Sequence, residues 1–178
     1  EVHAADCGRL RLDGRNGAEV DVVDREFVMA IDKIDEAFAH AMNGRDSGIN
    51  VIVSELAGTK NYNDAVEAGF KPMDAGEAVK KADLILVTLP DELQPGIYQK
   101  SIGPNLAKGK TLLFSHGFSI HFKTVVPPKG VNVILVAPKG PGHIVRRQFT
   151  EGKGVPSLIA VYQGGNEAKK IALAWAKG

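Results

Sequence analysis

The chain has 178 residues, of which 44% are hydrophobic and 24% are charged, as is ordinary for a folded globular domain. Its 22 basic and 21 acidic residues give a formal net charge of +1. Proteins that coat nucleic acid carry a large excess of basic residues, so this balance argues against such a function. A single cysteine excludes an internal disulfide and a cysteine-rich zinc site. No apolar run approaches the roughly 18 residues of a membrane span. Glu1–Asp6 has no secretory features, so we expect a cytoplasmic protein without a membrane or nucleic-acid partner.

Residues 1–25 differ in pattern from the rest of the chain and are expected to form an N-terminal extension. Arg9–Leu12 and Glu19–Val22 alternate polar with apolar side chains. Between them, Asp13–Gly17 contains residues that accept positive φ. The pattern predicts a hairpin at the edge of a sheet.

From about Glu26 onward, short apolar runs alternate with amphipathic stretches. The runs are continuous and rich in Val, Ile and Leu, as expected for strands covered on both faces. They fall at Phe27–Ile31, Ile49–Val53, Leu84–Leu89, Thr111–Phe114, Val131–Ala137 and Ser157–Tyr162. The first helix should carry Ile34, Phe38, Ala41 and Met42 on one face, and the others should lie at Asn63–Ala68, Asp74–Ala82, Asp91–Lys100, Gly142–Thr150 and Asn166–Lys177. This alternation predicts a doubly wound α/β domain over residues 26–178, with a mostly parallel, Rossmann-like sheet and helices on both faces.

Ligands of such a sheet bind beyond the carboxyl ends of its strands, so the residues that follow each strand are the first candidates for a site. The fifth run is followed by Pro138–His143, in which glycines allow close backbone approach and Lys139 adds a mobile positive charge. This segment is either an anion-binding turn or an ordinary strand-to-helix turn with solvated basic residues. His116 follows the fourth run beside a glycine, and it is either a polar group facing a cleft or a loop residue.

Three other kinds of site fail on spacing or order. Gly103–Thr111 has the glycines and lysine of a phosphate-binding P-loop, but it leads into a strand instead of a helix. Ser115 lacks the flanking glycines of a hydrolase nucleophile elbow. His116 and His121 have no carboxylate at helical spacing that would complete a zinc site.

The glycine-rich turn of dinucleotide-binding domains is missing from its expected place. A Rossmann domain carries G-x-G-x-x-G between its first strand and first helix. That junction is Asp32–Ala37 here, which contains no glycine. Acidic residues at this helix start would repel a pyrophosphate. The residues alone therefore predict a nucleotide-binding architecture without a persuasive nucleotide-binding loop.

Several motifs downstream of Phe38 occur together in one enzyme family. They are Ala39–Ala41, Arg45–Gly48, Asn50–Val53, Leu89–Glu92, Ser115–Phe118, Ile120–Phe122, Val126–Pro128, Ala137–His143, Val145–Arg147 and Glu151–Pro156. Through them the chain resembles the N-terminal cofactor domain of ketol-acid reductoisomerase, also called acetohydroxy-acid isomeroreductase. The motifs cover the chain from Phe38 to its end, and the Ala137–Pro156 stretch is highly specific.

The resemblance implies Mg²⁺-dependent alkyl migration and NADPH reduction of 2-acetolactate or 2-aceto-2-hydroxybutyrate, in branched-chain amino-acid biosynthesis. It implies NADP(H) as cofactor, a small-molecule substrate, homo-oligomers in full-length members, and Mg²⁺ held by ligands outside this chain. The chain stops at Gly178, about where the family's helical C-terminal domain begins. We therefore expect this part of an NADP-dependent oxidoreductase and isomerase to be inactive alone.

The same resemblance implies roles for individual residues. His116 takes the position of the active-site histidine and Lys139 that of a lysine near the bound substrate. The implied cofactor contacts are Thr59, Asn61, Asp91, Glu92, Leu93, Gln94 and Gly142. We also expect His116 and Lys139 to lie close together, because each follows a predicted parallel strand.

Two departures from the family pattern keep other interpretations open. The family's G-Y-G-S-Q-G loop corresponds to Asp32–Ala37, and its usual arginine for the 2′-phosphate corresponds to Leu56. Glu55, at the end of the second strand, stands where a ribose-binding acid is expected. The alternatives are a non-catalytic Rossmann-like domain with a degenerate cofactor loop, or another NAD(P)-dependent hydroxy-acid dehydrogenase.

Overall fold

The computed structural model describes residues 26–30 and 34–177, which form six strands and seven α-helices. The strands are β1 (Glu26–Ala30), β2 (Asn50–Ser54), β3 (Leu84–Val87), β4 (Thr111–Phe114), β5 (Asn132–Pro138) and β6 (Ser157–Gln163). The helices are α1 (Ile34–Asp46), α2 (Lys60–Glu67), α3 (Ala75–Lys81), α4 (Gln94–Ile97), α5 (Phe118–His121), α6 (Gly142–Thr150) and α7 (Gly165–Lys177). No described helix has both the length and the apolar character needed to cross a bilayer. The hairpin predicted for residues 1–25 lies outside the described residues.

The strands form one sheet in the order β2-β1-β3-β4-β5-β6. The first five strands are parallel to their neighbours, as the alternation of strand and helix predicts. The predicted doubly wound, mostly parallel α/β fold is therefore confirmed. β4 and α6 have the predicted bounds, because each is an apolar or amphipathic segment with polar or glycine residues at both ends.

The edge strand β6 differs from the expectation that every strand is covered on both faces. It runs antiparallel to β5, and its side chains Leu158 and Tyr162 are about 60% exposed. α6 and the segment Glu151–Pro156 return the chain to the carboxyl end of β5, where Ser157 pairs with Pro138, so no crossover to the other end of the sheet separates the two strands. An apolar run in an edge strand has the same composition as a buried one, and the sequence pattern does not distinguish them.

The sheet separates two apolar cores, because alternate side chains of each strand point to opposite faces. Leu84 and Leu86 of β3 pack on the side of α1 and α7, where Ala37, Ala41 and Ile171 are almost fully buried. The intervening side chains pack on the side of α3, with Ala78, Val79 and Ile102. Both faces of the parallel part of the sheet are thus covered by helices, and a ligand can reach the sheet only at the ends of its strands.

Local hydrogen bonds explain where the helices begin. Asp74 caps α3, since its Oδ1 accepts the N–H groups of Gly76 at 2.8 Å and Glu77 at 3.2 Å. The helix predicted for Asp91–Lys100 begins only at Gln94 and continues as a π-helical turn at Tyr98–Ile102. The short helix α5 was not predicted, because four residues show no helical period.

Candidate functional site

The order of the strands in the sheet reverses at the boundary between β1 and β3. β2 lies on one side of β1, while β3 and all later strands lie on the other. Doubly wound sheets bind ligands at such a switch point, in the crevice beyond the carboxyl ends of the strands. Among the described residues, the segments that follow β2, β3, β4 and β5 border this crevice.

His116 and Lys139 follow two neighbouring parallel strands. Phe114 of β4 lies opposite Leu135 of β5, so both strands end at the same edge of the sheet. His116 lies two residues beyond β4 and Lys139 directly after β5, and both residues are exposed. The Lys139 N–H donates to the Pro156 carbonyl at 2.8 Å, which fixes the main chain at this point. The structure brings the two residues to one edge, and contact between their side chains stays a prediction.

A carboxylate of the first helix lies beside the same edge. Glu36 Oε1, in the first turn of α1, is 3.9 Å from Nε2 of the buried His40. The nearby His40 side chain is the main influence that holds the pKa of the Glu36 carboxyl below its ordinary value of 4.5. Ser115 and the charges of His40 and His116 act in the same direction, and burial opposes the shift. His40 Nε2 and Ser115 Oγ are buried and have no hydrogen-bond partner among the described residues.

Glu36 is a residue of the site that the motifs did not predict. The sequence offered one signal, which is the acidic character of Asp32–Ala37 where a dinucleotide-binding turn carries glycines. A negative charge at this helix start opposes a bound pyrophosphate, and the neighbouring histidines offset that charge when they are protonated. The first turn of α1 therefore differs in charge from the glycine-rich turn of other dinucleotide-binding domains.

The turn after β3 is braced from inside by Gln94. This side chain is 3% exposed, and its Nε2 donates to the Leu89 carbonyl at 2.7 Å and to Asp91 Oδ1 at 3.1 Å. The N–H groups of Leu93 and Gln94 both donate to the Pro90 carbonyl. The turn is thus fixed by side-chain and backbone hydrogen bonds before the chain enters α4.

The four cofactor contacts expected on this turn are not equivalent. Glu92 and Leu93 are exposed on its surface, and Asp91 is half-buried. Gln94 uses both amide hydrogens within the turn, and its Oε1 is buried without a hydrogen-bond partner among the described residues. The motifs showed where the turn lies but not which of its side chains face inward.

Glu55 follows β2 directly, and its carboxylate contacts residues of the loop that leads to α2. Glu55 Oε1 accepts the Leu56 N–H at 2.9 Å and lies 3.4 Å from Thr59 Oγ1. Thr59 Oγ1 also lies 2.8 Å from the Leu56 carbonyl and accepts the Tyr62 N–H at 3.1 Å, which caps α2. The hydroxyl of Thr59, an expected phosphate contact, is therefore already used to form the loop and the helix start.

The loop between β2 and α2 has few charged side chains near it. Lys60 Nζ lies 2.6 Å from Asp64 Oδ2, one helical turn later, and its side chain is largely exposed. Asn61, the second residue expected to contact the cofactor phosphate, is half-buried. Leu56, at the position of the family's arginine, is 74% exposed and carries no charge.

A shallow groove of about 360 Å³ lies between α1 and α6. It is lined by Phe38, Ala39, Gly142, His143, Arg146, Arg147 and Thr150. Gly142, an expected cofactor contact, is the buried first residue of α6 and forms part of this lining. The groove therefore opens at the helix start that follows β5 and Lys139.

Arg146 of α6 is only partly exposed, because its side chain contacts α1. Its Nη1 donates to Asn43 Oδ1 at 2.9 Å, and its Nη2 donates to Asp46 Oδ2 at 2.5 Å. These contacts arise because α1 and α6 pack side by side on one face of the sheet. Arg147 is exposed. Arg146 thus fixes α6 on the last turn of α1.

The described residues do not form a metal site. Within residues 26–30 and 34–177, no group of three or more His, Cys, Asp and Glu side chains is placed to hold a metal ion.

Comparison with protein families gives one match over most of the chain. The family described as acetohydroxy acid isomeroreductase, NADPH-binding domain, matches residues 30–178. A solved structure of an NADH-preferring ketol-acid reductoisomerase from an uncultured archaeon is 42% identical and superposes with a TM-score of 0.82. The match covers 88% of this chain and 49% of the archaeal protein, so the chain spans about half the length of that relative.

More distant structures share the fold alone. A semialdehyde dehydrogenase NAD-binding protein from Cupriavidus necator, solved with calcium and NAD, is 17% identical with a TM-score of 0.72, over 86% of this chain and 58% of that protein. A putative oxidoreductase from Jannaschia sp. is 14% identical with a TM-score of 0.70, over the same shares of the two chains. These similarities agree with a Rossmann-like sheet.

Proposed function

The chain belongs to the acetohydroxy acid isomeroreductase family, whose NADPH-binding domain it matches, and we propose that it is the cofactor domain of a ketol-acid reductoisomerase. The proposed reaction is alkyl migration in 2-acetolactate or 2-aceto-2-hydroxybutyrate followed by reduction, in branched-chain amino-acid biosynthesis. The observation that carries the proposal is the continuous family match over residues 30–178, which includes the segments after β3, β4 and β5. The full-length protein is proposed to be a cytoplasmic homo-oligomer.

The crevice beyond the carboxyl ends of the strands is the proposed binding place of a nicotinamide dinucleotide. The residues proposed to contact it are Thr59, Asn61, Asp91, Glu92, Leu93, Gln94 and Gly142. The bound dinucleotide supplies a hydride to the substrate ketone. The family is described by its NADPH binding and the archaeal relative is NADH-preferring, so both dinucleotides are candidate cofactors.

His116 and Lys139 are proposed to act on the substrate at the edge shared by β4 and β5. Reduction of a ketone places negative charge on its oxygen, and a positively charged ammonium group nearby stabilises that charge. Lys139 is exposed and mobile enough to supply the ammonium group. His116 is proposed to exchange a proton with the same oxygen, since an imidazole can act as a general acid or base.

Within residues 26–30 and 34–177, no three His, Cys, Asp or Glu side chains are grouped to hold Mg²⁺. The family resemblance implies that Mg²⁺ is held by ligands outside this chain, which we include in the proposal, and no step of the reaction is attributed to the metal here. Residues 26–178 are proposed to form one Rossmann-like cofactor domain, and residues 1–25 an extension of it.

Binding and turnover by the 178-residue chain test the proposal separately. We expect calorimetric titration to show saturable binding of NADPH or NADH, and we expect no conversion of 2-acetolactate when Mg²⁺ and NADPH are added. Failure of both dinucleotides to bind would remove the cofactor-domain proposal. Mg²⁺-dependent conversion by this chain alone would show that the metal ligands lie within it.

One observation favours a second candidate, a non-catalytic Rossmann-like domain. Glu36 places a carboxylate beside Ser115 and His116, where dinucleotide-binding domains have a neutral, glycine-rich turn. The same titration distinguishes the two functions, because a non-catalytic domain of this kind binds neither NADH nor NADPH. Restoration of binding by Glu36→Gln would identify the carboxylate as the cause.

A further inference from the structure

The strand β6 forms an open edge of the sheet. No strand in the described part of the chain pairs with the side of β6 that faces away from β5. The opposite edge strand, β2, is partly covered, because the Met73 N–H donates to the Val53 carbonyl at 3.0 Å and Met73 forms a parallel bridge with Ser54. The outward N–H and C=O groups of β6 therefore offer a template for another strand.

The features that usually prevent pairing at a sheet edge are missing from β6. Natural edge strands are commonly protected by charged side chains or by proline. The seven residues Ser157–Gln163 include neither, and four of them are Leu, Ile, Val and Tyr, which suit a sheet. The register with β5 shifts only near Tyr162, whose side chain is 62% exposed. The strand is thus regular and apolar along most of its length.

Hydrogen bonds anchor β6 at both of its ends. At the start of the strand, the Pro156 carbonyl accepts the Lys139 N–H at 2.8 Å. At the other end, Gln163 Nε2 donates to the Pro128 carbonyl at 2.8 Å and to the Val131 carbonyl at 2.6 Å. Because these contacts already order the strand, pairing costs it less conformational entropy than it would cost a free segment.

Apolar side chains of β6 are exposed on both faces of the sheet. Ile159 and Val161 lie opposite Val136 and Ile134 of β5, on the face where α7 packs, and they are 36% and 37% exposed. Leu158, on the other face, is 60% exposed. The helix α7 therefore covers only part of the strand, and apolar surface continues to its outer edge.

The exposure of β6 is symmetric about its central residue, Ala160. Leu158 and Tyr162, two positions to either side, are 60% and 62% exposed, and the residues one position away, Ile159 and Val161, are 36% and 37% exposed. A two-fold axis at Ala160 would place Leu158 opposite Tyr162 of a second copy, and Ile159 opposite Val161. Such aromatic–aliphatic and β-branched pairs stabilise neighbouring strands. The strand is therefore complementary to itself, as a two-fold contact requires.

We propose that β6 is a dimerisation surface, on which a second copy of this chain pairs antiparallel about a two-fold axis at Ala160. The pairing joins two six-stranded sheets into one and covers apolar side chains on both faces. No like charges meet along the seam, because the strand carries none. The proposal goes beyond the proposed function and does not depend on cofactor binding.

Sedimentation equilibrium of the 178-residue chain tests the proposal. A seam of one strand pair is smaller than a standard protein interface, so we expect a reversible dimer with a dissociation constant on the order of 10 μM. A chain that stays monomeric at about 1 mM overturns the proposal. The open edge would then be left to a strand of a different polypeptide.

Paired charge substitutions test the register of the seam. Leu158→Lys combined with Tyr162→Lys places like charges opposite each other in both outer pairs, whereas Leu158→Lys combined with Tyr162→Glu places opposite charges there. We expect the first combination to dimerise at least about tenfold more weakly than the second. Both positions are exposed, so neither combination disturbs the core. Equal dissociation constants for the two combinations overturn the two-fold pairing at Ala160.

A control variant and hydrogen exchange locate the contact. Leu56→Lys, at an exposed position beyond the opposite edge strand β2, should leave the dissociation constant unchanged. In the parent, the outward amides of β6 should exchange more slowly in concentrated than in dilute solution, while the amides of β2 should not change. A dimer whose β6 amides exchange equally fast at both concentrations uses another surface and overturns the proposal.

Discussion

Arg146 of α6 and Asp46 of α1 form an ion pair across 100 residues of sequence, with Nη2 and Oδ2 separated by 2.5 Å. The arginine side chain is 24% exposed and the aspartate side chain 38%. Since Arg146 also donates to Asn43, its guanidinium group holds two residues in the last turns of α1. The pair fixes α6 against α1, and with it the groove that begins at Gly142.

Loss of this contact should destabilise the fold modestly. We expect Arg146→Ala to lower the free energy of unfolding by about 1 kcal/mol, because a partly exposed ion pair is screened by water while the bond to Asn43 is also lost. Urea unfolding measures the change, and a double-mutant cycle with Asp46→Ala isolates the pair. Arg147→Ala, whose nearest carboxylate oxygen, on Glu151, is 3.9 Å away, serves as the control. An equal loss of stability in both arginine variants would contradict the assignment.

The comparison of α6 and β6 shows what the sequence pattern can predict. Gly142–Thr150 was predicted with its observed bounds, because its periodicity and its opening glycine are local features. The direction of β6 depends on the return of the chain to the carboxyl end of β5, where Ser157 pairs with Pro138, and no local pattern encodes that path. The contact between Arg146 and Asp46 depends in turn on how α1 and α6 pack, so it is visible only in the fold.

The candidate site also combines features that local sequence predicts with features that depend on the fold. His116 and Lys139 were expected at one edge because each follows a strand, and parallel strands end together. The amide hydrogens of Gln94, an expected cofactor contact, are used inside the turn, which only the hydrogen bonds show. The electrostatic role of Glu36 depends on the approach of Ser115 and His116 from β4, about 80 residues away in the chain.

The low pKa of Glu36 predicts a specific dependence of stability on pH. A carboxyl group whose pKa is lowered on folding contributes stability above its unfolded pKa, and this contribution is lost as pH falls through the folded pKa. The stability that Glu36 contributes should therefore be complete above about pH 4.5 and should disappear below it. We expect Glu36→Gln to lose less stability than the parent between pH 5 and pH 3.

Urea unfolding at a series of pH values measures this difference. The exposed Glu67→Gln provides a control that removes a carboxyl group away from the crevice. If the parent and Glu36→Gln lose stability in parallel as the solution is acidified, the contacts with His40 and Ser115 do not stabilise the charged form.

Removal of the Gln94 side chain should loosen the turn after β3. We expect Gln94→Ala to lower the free energy of unfolding by about 2 kcal/mol, because two hydrogen bonds are lost and the Leu89 carbonyl and Asp91 lose a donor. Chemical denaturation gives the magnitude, and hydrogen exchange at the Leu93 amide reports the turn itself. Glu92→Ala, at an exposed position of the same turn, should change stability by less than about 0.5 kcal/mol. Equal effects of the two substitutions would mean that Gln94 does not brace the turn.

Gly164 joins β6 to α7 in a conformation that a side chain cannot accept. Its φ is +111°, and a Cβ atom added here would overlap Asn132 Oδ1 and lie 2.8 Å from Ala168 Cβ. Asn132 is buried and donates to Thr111 Oγ1 at 3.3 Å, so it cannot move aside freely. We expect Gly164→Ala to lower the free energy of unfolding by about 3 kcal/mol in urea denaturation, through backbone strain and steric overlap. Gly154→Ala, where an added Cβ meets no atom within 4 Å, should be neutral or slightly stabilising, and a comparable loss there would contradict the steric explanation.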